Sequence, residues 1–174
     1  MEILAVISMI NQMRAAGVIE RYAIGGAVGA TFHIEPVSTL DVDIFAAFEP
    51  TAGSLLITPQ PIFDYLTARG CSVEGEYIII GGWPVQFLPA GNRLVEEALA
   101  EAVTMHIGNT PASVCTAEHL AAIALQLGRG KDKARLLQFV EAGVLETDRL
   151  QSILTRHNLM PAWERFSRQF LTET

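Results

Sequence analysis

The chain opens with apolar residues at helical spacing, Ile3, Leu4, Ile7, Ile10 and Met13, which predicts an amphipathic helix that Gly17 ends. Tyr22, Ala23 and Ile24 read as a short buried strand running into Gly25-Gly26, and the small apolar stretch 27–32 as a short helix. Pro36 and Ser38 mark a turn, after which 40–48 (LDVDIFAAF) alternates as a strand does. A short helix is expected over 62–68, closed by Gly70. Residues 77–80 and 85–88 flank Gly81-Gly82, a hairpin pattern, because paired glycines supply the positive φ that a tight turn needs. Asn92 caps a helix to about residue 103, with Leu94, Val95, Ala98, Leu99 and Ala102 on one face. Short strands are expected over 104–107 and 113–115, around Asn109, Thr110 and Pro111. The rest reads as four helices, 116–128, 131–142, 147–157 and 161–170, with Thr116 and Thr147 as N-caps and Gly128, Gly130 and Gly143 as stops. The fold class is therefore α+β: a mixed sheet flanked by helices over 1–115, and a helical C-terminal part over 116–174 packed on that core.

Composition narrows the class. A chain of 174 residues, half of them apolar and 18% charged, has material for one packed domain with a sizeable core. Cys71 and Cys115 lie far apart without ligand-like spacing, as buried thiols in a reducing compartment do. The apolar N-terminus has Glu2 where a signal peptide carries basic residues, and Asn11 and Gln12 break its run. No apolar stretch reaches the length needed to span a bilayer. A soluble, cytoplasmic protein without membrane association is the expectation.

Net charge is −7, which argues against general nucleic-acid binding, but the distribution is uneven. Residues 1–115 hold 4 Lys and Arg against 12 Asp and Glu, whereas 116–174 hold 8 against 7. An acidic site beside a more basic helical surface suits a bound cation and a phosphate-bearing substrate; an ordinary solvated surface suits the charges equally well.

The segment 22–45, YAIGGAVGATFHIEPVSTLDVDIF, carries the candidate chemistry. Side chains two apart on a strand share a face, so Asp41 and Asp43 project together while Val42 and Ile44 face the core. Carboxylates held that close repel, and a partly buried site tolerates them when a cation such as Mg²⁺ sits between them. Gly25 and Gly26 end a strand and begin a helix, where missing β-carbons and free N–H groups admit a phosphate. A phosphate cradle and a divalent-metal pair on neighbouring strands are the minimum equipment for nucleotidyl or phosphoryl transfer.

In this order and spacing, Ile24-Gly25-Gly26 followed by STLDVDIF at 38–45 resembles the nucleotidyltransferase superfamily related to DNA polymerase beta. The run EHLAAIALQLGRGKDKARLLQFVEAG at 118–143 is similar to the tail helices of small abortive-infection and toxin–antitoxin nucleotidyltransferases. The resemblance implies a nucleotidyltransferase-like mixed sheet, an NTP with Mg²⁺ or Mn²⁺, and nucleotidyl transfer to a hydroxyl of a protein, RNA or small molecule. It implies Asp41 and Asp43 as catalytic metal ligands, Gly25, Gly26, Thr39 and Lys131 at the nucleotide, and Arg129 and Asp132 as further candidates. An antitoxin-like protein is the partner it suggests.

Two positions depart from the family pattern. The third carboxylate, which helps to activate the attacking hydroxyl, falls on Gln86, and an amide accepts no proton at neutral pH. A lysine common on the first tail helix falls on Ala124. These departures keep a second reading open, a nucleotide-binding or protein-partner module that retains the fold and has lost turnover. His33 and Glu35 lie near the Asp pair, but a lone loop histidine is more often a surface residue, and that reading is preferred. His106, His119 and His157 have no carboxylate or cysteine at ligand spacing along the chain, and no role is assigned to them.

Overall fold

The computed structural model describes residues 2–36, 38–48 and 58–171, so the turn at Pro36 and Ser38 spans one residue outside the described ones. Seven strands form one mixed sheet in the order β3-β4-β5-β2-β1-β7-β6. They are β1 (Arg21–Ile24), β2 (Val42–Ala47), β3 (Ser72–Glu74), β4 (Tyr77–Ile80), β5 (Trp83–Pro89), β6 (Val103–Ile107) and β7 (Thr110–Val114). The helices are α1 (Ile3–Ala15), α2 (Gly26–Ala30), α3 (Gln60–Thr67), α4 (Arg93–Ala100), α5 (Ala117–Leu127), α6 (Gly130–Ala142), α7 (Thr147–Arg156) and α8 (Met160–Phe170). None of the described helices is long and apolar enough to cross a membrane.

Alternation along the central strands divides the core between the two faces of the sheet. Val42, Ile44 and Ala46 of β2, with Tyr22 and Ile24 of β1, meet Val6, Ile7 and Ile10 of α1 and Ile62 and Leu66 of α3. Ala23 and Phe45 face the other way, against Val95, Ala98 and Leu99 of α4 and Leu120 of α5. A third cluster, including Leu136, Ile153, Leu154 and Phe166, holds α5 to α8 together. Burying a side chain of this size contributes roughly 1.5–3 kcal/mol each.

The β4–β5 hairpin forms as its glycines require, Gly81 and Gly82 having φ of 57° and 81° and Ile80 pairing with Trp83 across the turn. Asn92 and Thr116 cap their helices, accepting from the Val95 and His119 backbone N–H groups. Thr147 does not cap α7: it is the first helical residue, Glu146 is the cap, and the Glu146 N–H donates to the Glu118 carboxylate at 2.9 Å. Helix α4 ends at Ala100, and Val103 pairs with Val114. The β6–β7 turn falls at Gly108, so Thr110 and Pro111 lie inside β7; Pro111 pairs with His106, beyond the single point, Ile24 with Val114, where β7 meets β1. Strand β3 has no apolar signal because all three of its residues are exposed; it forms by pairing with β4 at the sheet edge.

Helix α4 is tied to the C-terminal helices through one carboxylate. Glu97 accepts from Arg156 at 2.6 Å, from His157 Nε2 at 2.7 Å and contacts His119 Nε2 at 3.1 Å. His119 is fully buried, and its Nδ1 lies 2.7 Å from the Thr116 hydroxyl. Arg156 foremost, with both imidazoles, holds the Glu97 carboxyl down at about 2. Two histidines that look isolated along the chain thus converge on one acid across 22 and 60 residues.

Candidate active site

Beyond Ile24, the chain turns sharply through Gly25 and Gly26 into α2. Gly26 has a φ of 57°, and a Cβ there would collide with the Asp43 carboxylate. At Gly25 an added Cβ would lie 2.5 Å from the Phe45 ring. Glycine is needed at both positions so that this turn can pass directly over β2, where the Gly25 N–H donates to the Asp43 carbonyl at 2.9 Å and Gly26 lies against the Asp43 carboxylate.

Asp43 lies on β2 and Asp41 one residue before the strand begins, rather than inside it as its spacing suggests. Both line one cleft of about 520 Å³ that also includes Gly26, Thr39, Arg129, Lys131 and Arg135. Thr39 Oγ1 is 3.2 Å from Asp41 Oδ1 and so fixes the first carboxylate. Burial, and next the charge of Asp41, push the Asp43 carboxyl above its ordinary value, against the opposing pull of Lys131, Arg135 and Arg129.

The opposite wall comes from the helical part. Asp132 is 1% exposed and grips the Arg129 guanidinium, with contacts of 2.6 Å to Nε and 3.2 Å to the terminal nitrogen, while accepting from the Arg129 backbone N–H. Asp132 is therefore the residue that fixes the α6 start and aims Arg129. Arg135 lines the same cleft, and its Nε is buried with no hydrogen-bond partner among the described residues. It escapes a motif-based reading, yet it lies four residues after Lys131, on the same helix face. Ala124, where the family often has lysine, lines the cleft as a small apolar residue, and Arg135 supplies a cation from the next helix.

Gln86 stands directly beside Asp43 in the parallel β2–β5 register, the position expected for the third carboxylate. Its Nε2 donates to Glu76 Oε2 at 3.1 Å. Sequence reasoning does not reach Glu76, or Tyr77, whose hydroxyl lies 3.5 Å from Asp41 Oδ2.

His33 and Glu35 do not join the Asp pair. The His33 ring contacts the Cys115 carbonyl at 2.8 Å, and Glu35 lines a different depression beside Gln138. Glu97, Glu101 and His119 form another group of metal-ligand type, but Arg156 and His157 already engage Glu97 and Arg149 contacts Glu101 at 3.5 Å. Close ion pairs engage that cluster, whereas among the described residues none engages Asp41 or Asp43. Cys115 is buried, which pushes its thiol up to about 12 and leaves it inert.

No family model and no curated protein matches the sequence. Solved structures do match over nearly the whole chain. The solution structure of the antibiotic-resistance factor ANT(2'')-Ia is 14% identical, covering 94% of this chain and 96% of its own, with a TM-score of 0.51. The crystal structure of ANT(2")-Ia in complex with adenylyl-2"-tobramycin is 15% identical over 92% and 98%, with a TM-score of 0.50. An antigenic nucleotidyltransferase-like protein from Paracoccidioides brasiliensis is 15% identical over 96% and 95%, also with a TM-score of 0.50. With the seven-stranded mixed sheet, the glycine turn over β2 and the Asp41–Asp43 pair, these likenesses establish that the chain has the nucleotidyltransferase fold.

Proposed function

We propose that the protein is a metal-dependent nucleotidyltransferase, binding a nucleoside triphosphate with Mg²⁺ or Mn²⁺ and transferring its nucleotidyl group to a hydroxyl. The observation that carries this reading is the convergence of Asp41, Asp43 and Gly26 with Arg129, Lys131 and Arg135 on one cleft. The donors suit a hard divalent cation: two carboxylates, one of them burdened by burial and by its neighbour's charge, gain when a positive ion lies between them. Such an ion supplies charge neutralisation at the phosphate oxygens.

The remaining work falls to the protein's own groups. The Gly25-Gly26 turn lets a phosphate approach the backbone, while Lys131, Arg129 and Arg135 hold the outer phosphates and stabilise the departing pyrophosphate. Thr39 keeps Asp41 in place. Leu40 and Leu127, 87% and 51% exposed on the cleft walls, offer apolar faces to a base. The acceptor is a hydroxyl of a protein, RNA or small molecule; the ANT(2")-Ia structure is a complex with adenylyl-2"-tobramycin. A toxin–antitoxin or abortive-infection role in the cytoplasm, with an antitoxin-like protein as partner, accords with the resemblance of the tail helices.

Gln86 favours the second reading, a module that binds nucleotide without turnover. NTPs labelled in the α-phosphate separate the two when offered with Mg²⁺ or Mn²⁺ and with RNA, tobramycin or the protein itself as acceptor. An enzyme incorporates label, and Asp41→Asn abolishes the incorporation. Arg135→Ala is expected to raise the nucleotide KM roughly 10–100-fold, since a hydrogen bond to a charged group is worth about 1.5–3 kcal/mol. Nucleotide bound but never consumed supports the module; nucleotide neither bound nor consumed defeats both readings.

A further inference from the structure

We propose that Glu76 is the catalytic base of the transfer reaction, its carboxylate taking from the neighbouring hairpin turn the place that Gln86 has given up. The inference rests on the nucleotidyltransferase reading and assigns the proton acceptor within it. Asp43 pairs with Gln86 across β2 and β5. Strand β4 continues the row, because the register that pairs Ile78 with Val85 sets Tyr77 beside Gln86 one step further on. Asp43, Gln86 and Tyr77 therefore share one face of the sheet. Glu74 pairs with Tyr77, so Gly75 and Glu76 form the tip of a tight hairpin, with Gly75 at a φ of 63°.

The Gln86 carboxamide donates to Glu76 Oε2 at 3.1 Å, which anchors the Glu76 carboxylate next to the residue paired with Asp43. An amide at position 86 cannot accept a proton, but it can hold a carboxylate that does. Tyr77 extends the same arrangement to the first acid, its hydroxyl lying 3.5 Å from Asp41 Oδ2. Helix α6 walls the cleft side of the Asp pair, and the proposal places the acceptor on the opposite side, next to Gln86 in the β2–β5 register.

In the reaction, the acceptor oxygen forms a bond to the α-phosphorus. The bond from that phosphorus to the oxygen bridging to the β-phosphate breaks, and pyrophosphate leaves with the electron pair. The hydroxyl proton passes to the Glu76 carboxylate and then to water, since Glu76 is exposed.

The test uses the whole protein, ATP with Mg²⁺ and the acceptor set above. Glu76→Gln should lower kcat by ~10²-fold or more, the usual range for general-base assistance, without changing the nucleotide KM or the rise in Tm that nucleotide with Mg²⁺ brings. Adding Gln86→Glu to Glu76→Gln should restore kcat, because it returns a carboxylate to the strand position. Gln86→Glu alone should be neutral or harmful, because it sets a like charge against Glu76 and removes its donor. Unchanged kcat in Glu76→Gln would overturn the inference while leaving the nucleotidyltransferase reading intact. A loss of kcat matched by a loss of nucleotide stabilisation would also overturn it, reducing Glu76 to a structural residue. A wild type that nucleotide with Mg²⁺ does not stabilise would overturn the underlying reading, and the inference with it.

Discussion

Asp43→Asn is expected to stabilise the metal-free protein at neutral pH while abolishing transfer. Asp43 is half-buried beside Asp41, and its carboxyl is held above the ordinary value by burial first and by the Asp41 charge second. A carboxyl whose pKa is higher folded than unfolded favours the folded state in its protonated form. Stability is therefore fullest at a pH below the unfolded value and falls as pH rises towards and through the raised one, so at neutral pH the charge is a cost. Asparagine keeps the shape and removes that cost. A higher Tm in EDTA at pH 7 is expected, the gain shrinking as the pH falls through the carboxylate range. Transfer is lost because the amide gives up an anionic ligand to the cation. Thermal unfolding across pH checks the first half, and a lower Tm for Asp43→Asn at pH 7 would contradict it. An active site that destabilises its own scaffold is a familiar trade.

The second large effect is expected at Glu97, remote from the chemistry. Glu97→Ala should destabilise the protein by about 2–3 kcal/mol, because it leaves fully buried His119 and the Arg156 guanidinium without their shared acceptor. Because the folded carboxyl lies at about 2, below its unfolded value near 4.5, its contribution is complete above that unfolded value. It is lost as pH falls from about 4.5 towards about 2. Urea unfolding of wild type and Glu97→Ala at pH 7 and at pH 3 checks both claims. The difference between them should narrow in acid, and an undiminished difference at pH 3 would contradict the charge-based account.

Local signals carried most of the elements. Gly25-Gly26, Asp41 with Asp43, the Gly81-Gly82 turn and the Asn92 and Thr116 caps each act within a few residues, so a linear reading reaches them. What it misses depends on chain segments that meet only after folding. Strand β3 is exposed throughout and is defined by its partner. Glu97 gathers His119 and His157 across 22 and 60 residues, and Gln86 reaches Glu76 across the hairpin. Arg135 was within reach, because its spacing of four from Lys131 is visible along the chain, but no motif marks it. Asp132, a candidate by resemblance, is occupied with Arg129, and its part is to shape the cleft wall.

The most direct test of the central claim is the Tm of the protein with ATP and Mg²⁺ together, compared with either alone. A ligand that binds only the folded state stabilises it by RT ln(1 + [L]/Kd), so saturating nucleotide at ~100 Kd should add about 2.7 kcal/mol. The increment is expected to require both metal and nucleotide, and to disappear when Asp41 and Asp43 are both replaced by Asn. An increment that survives in the Asp41→Asn, Asp43→Asn double variant would place the ligand elsewhere and contradict the account.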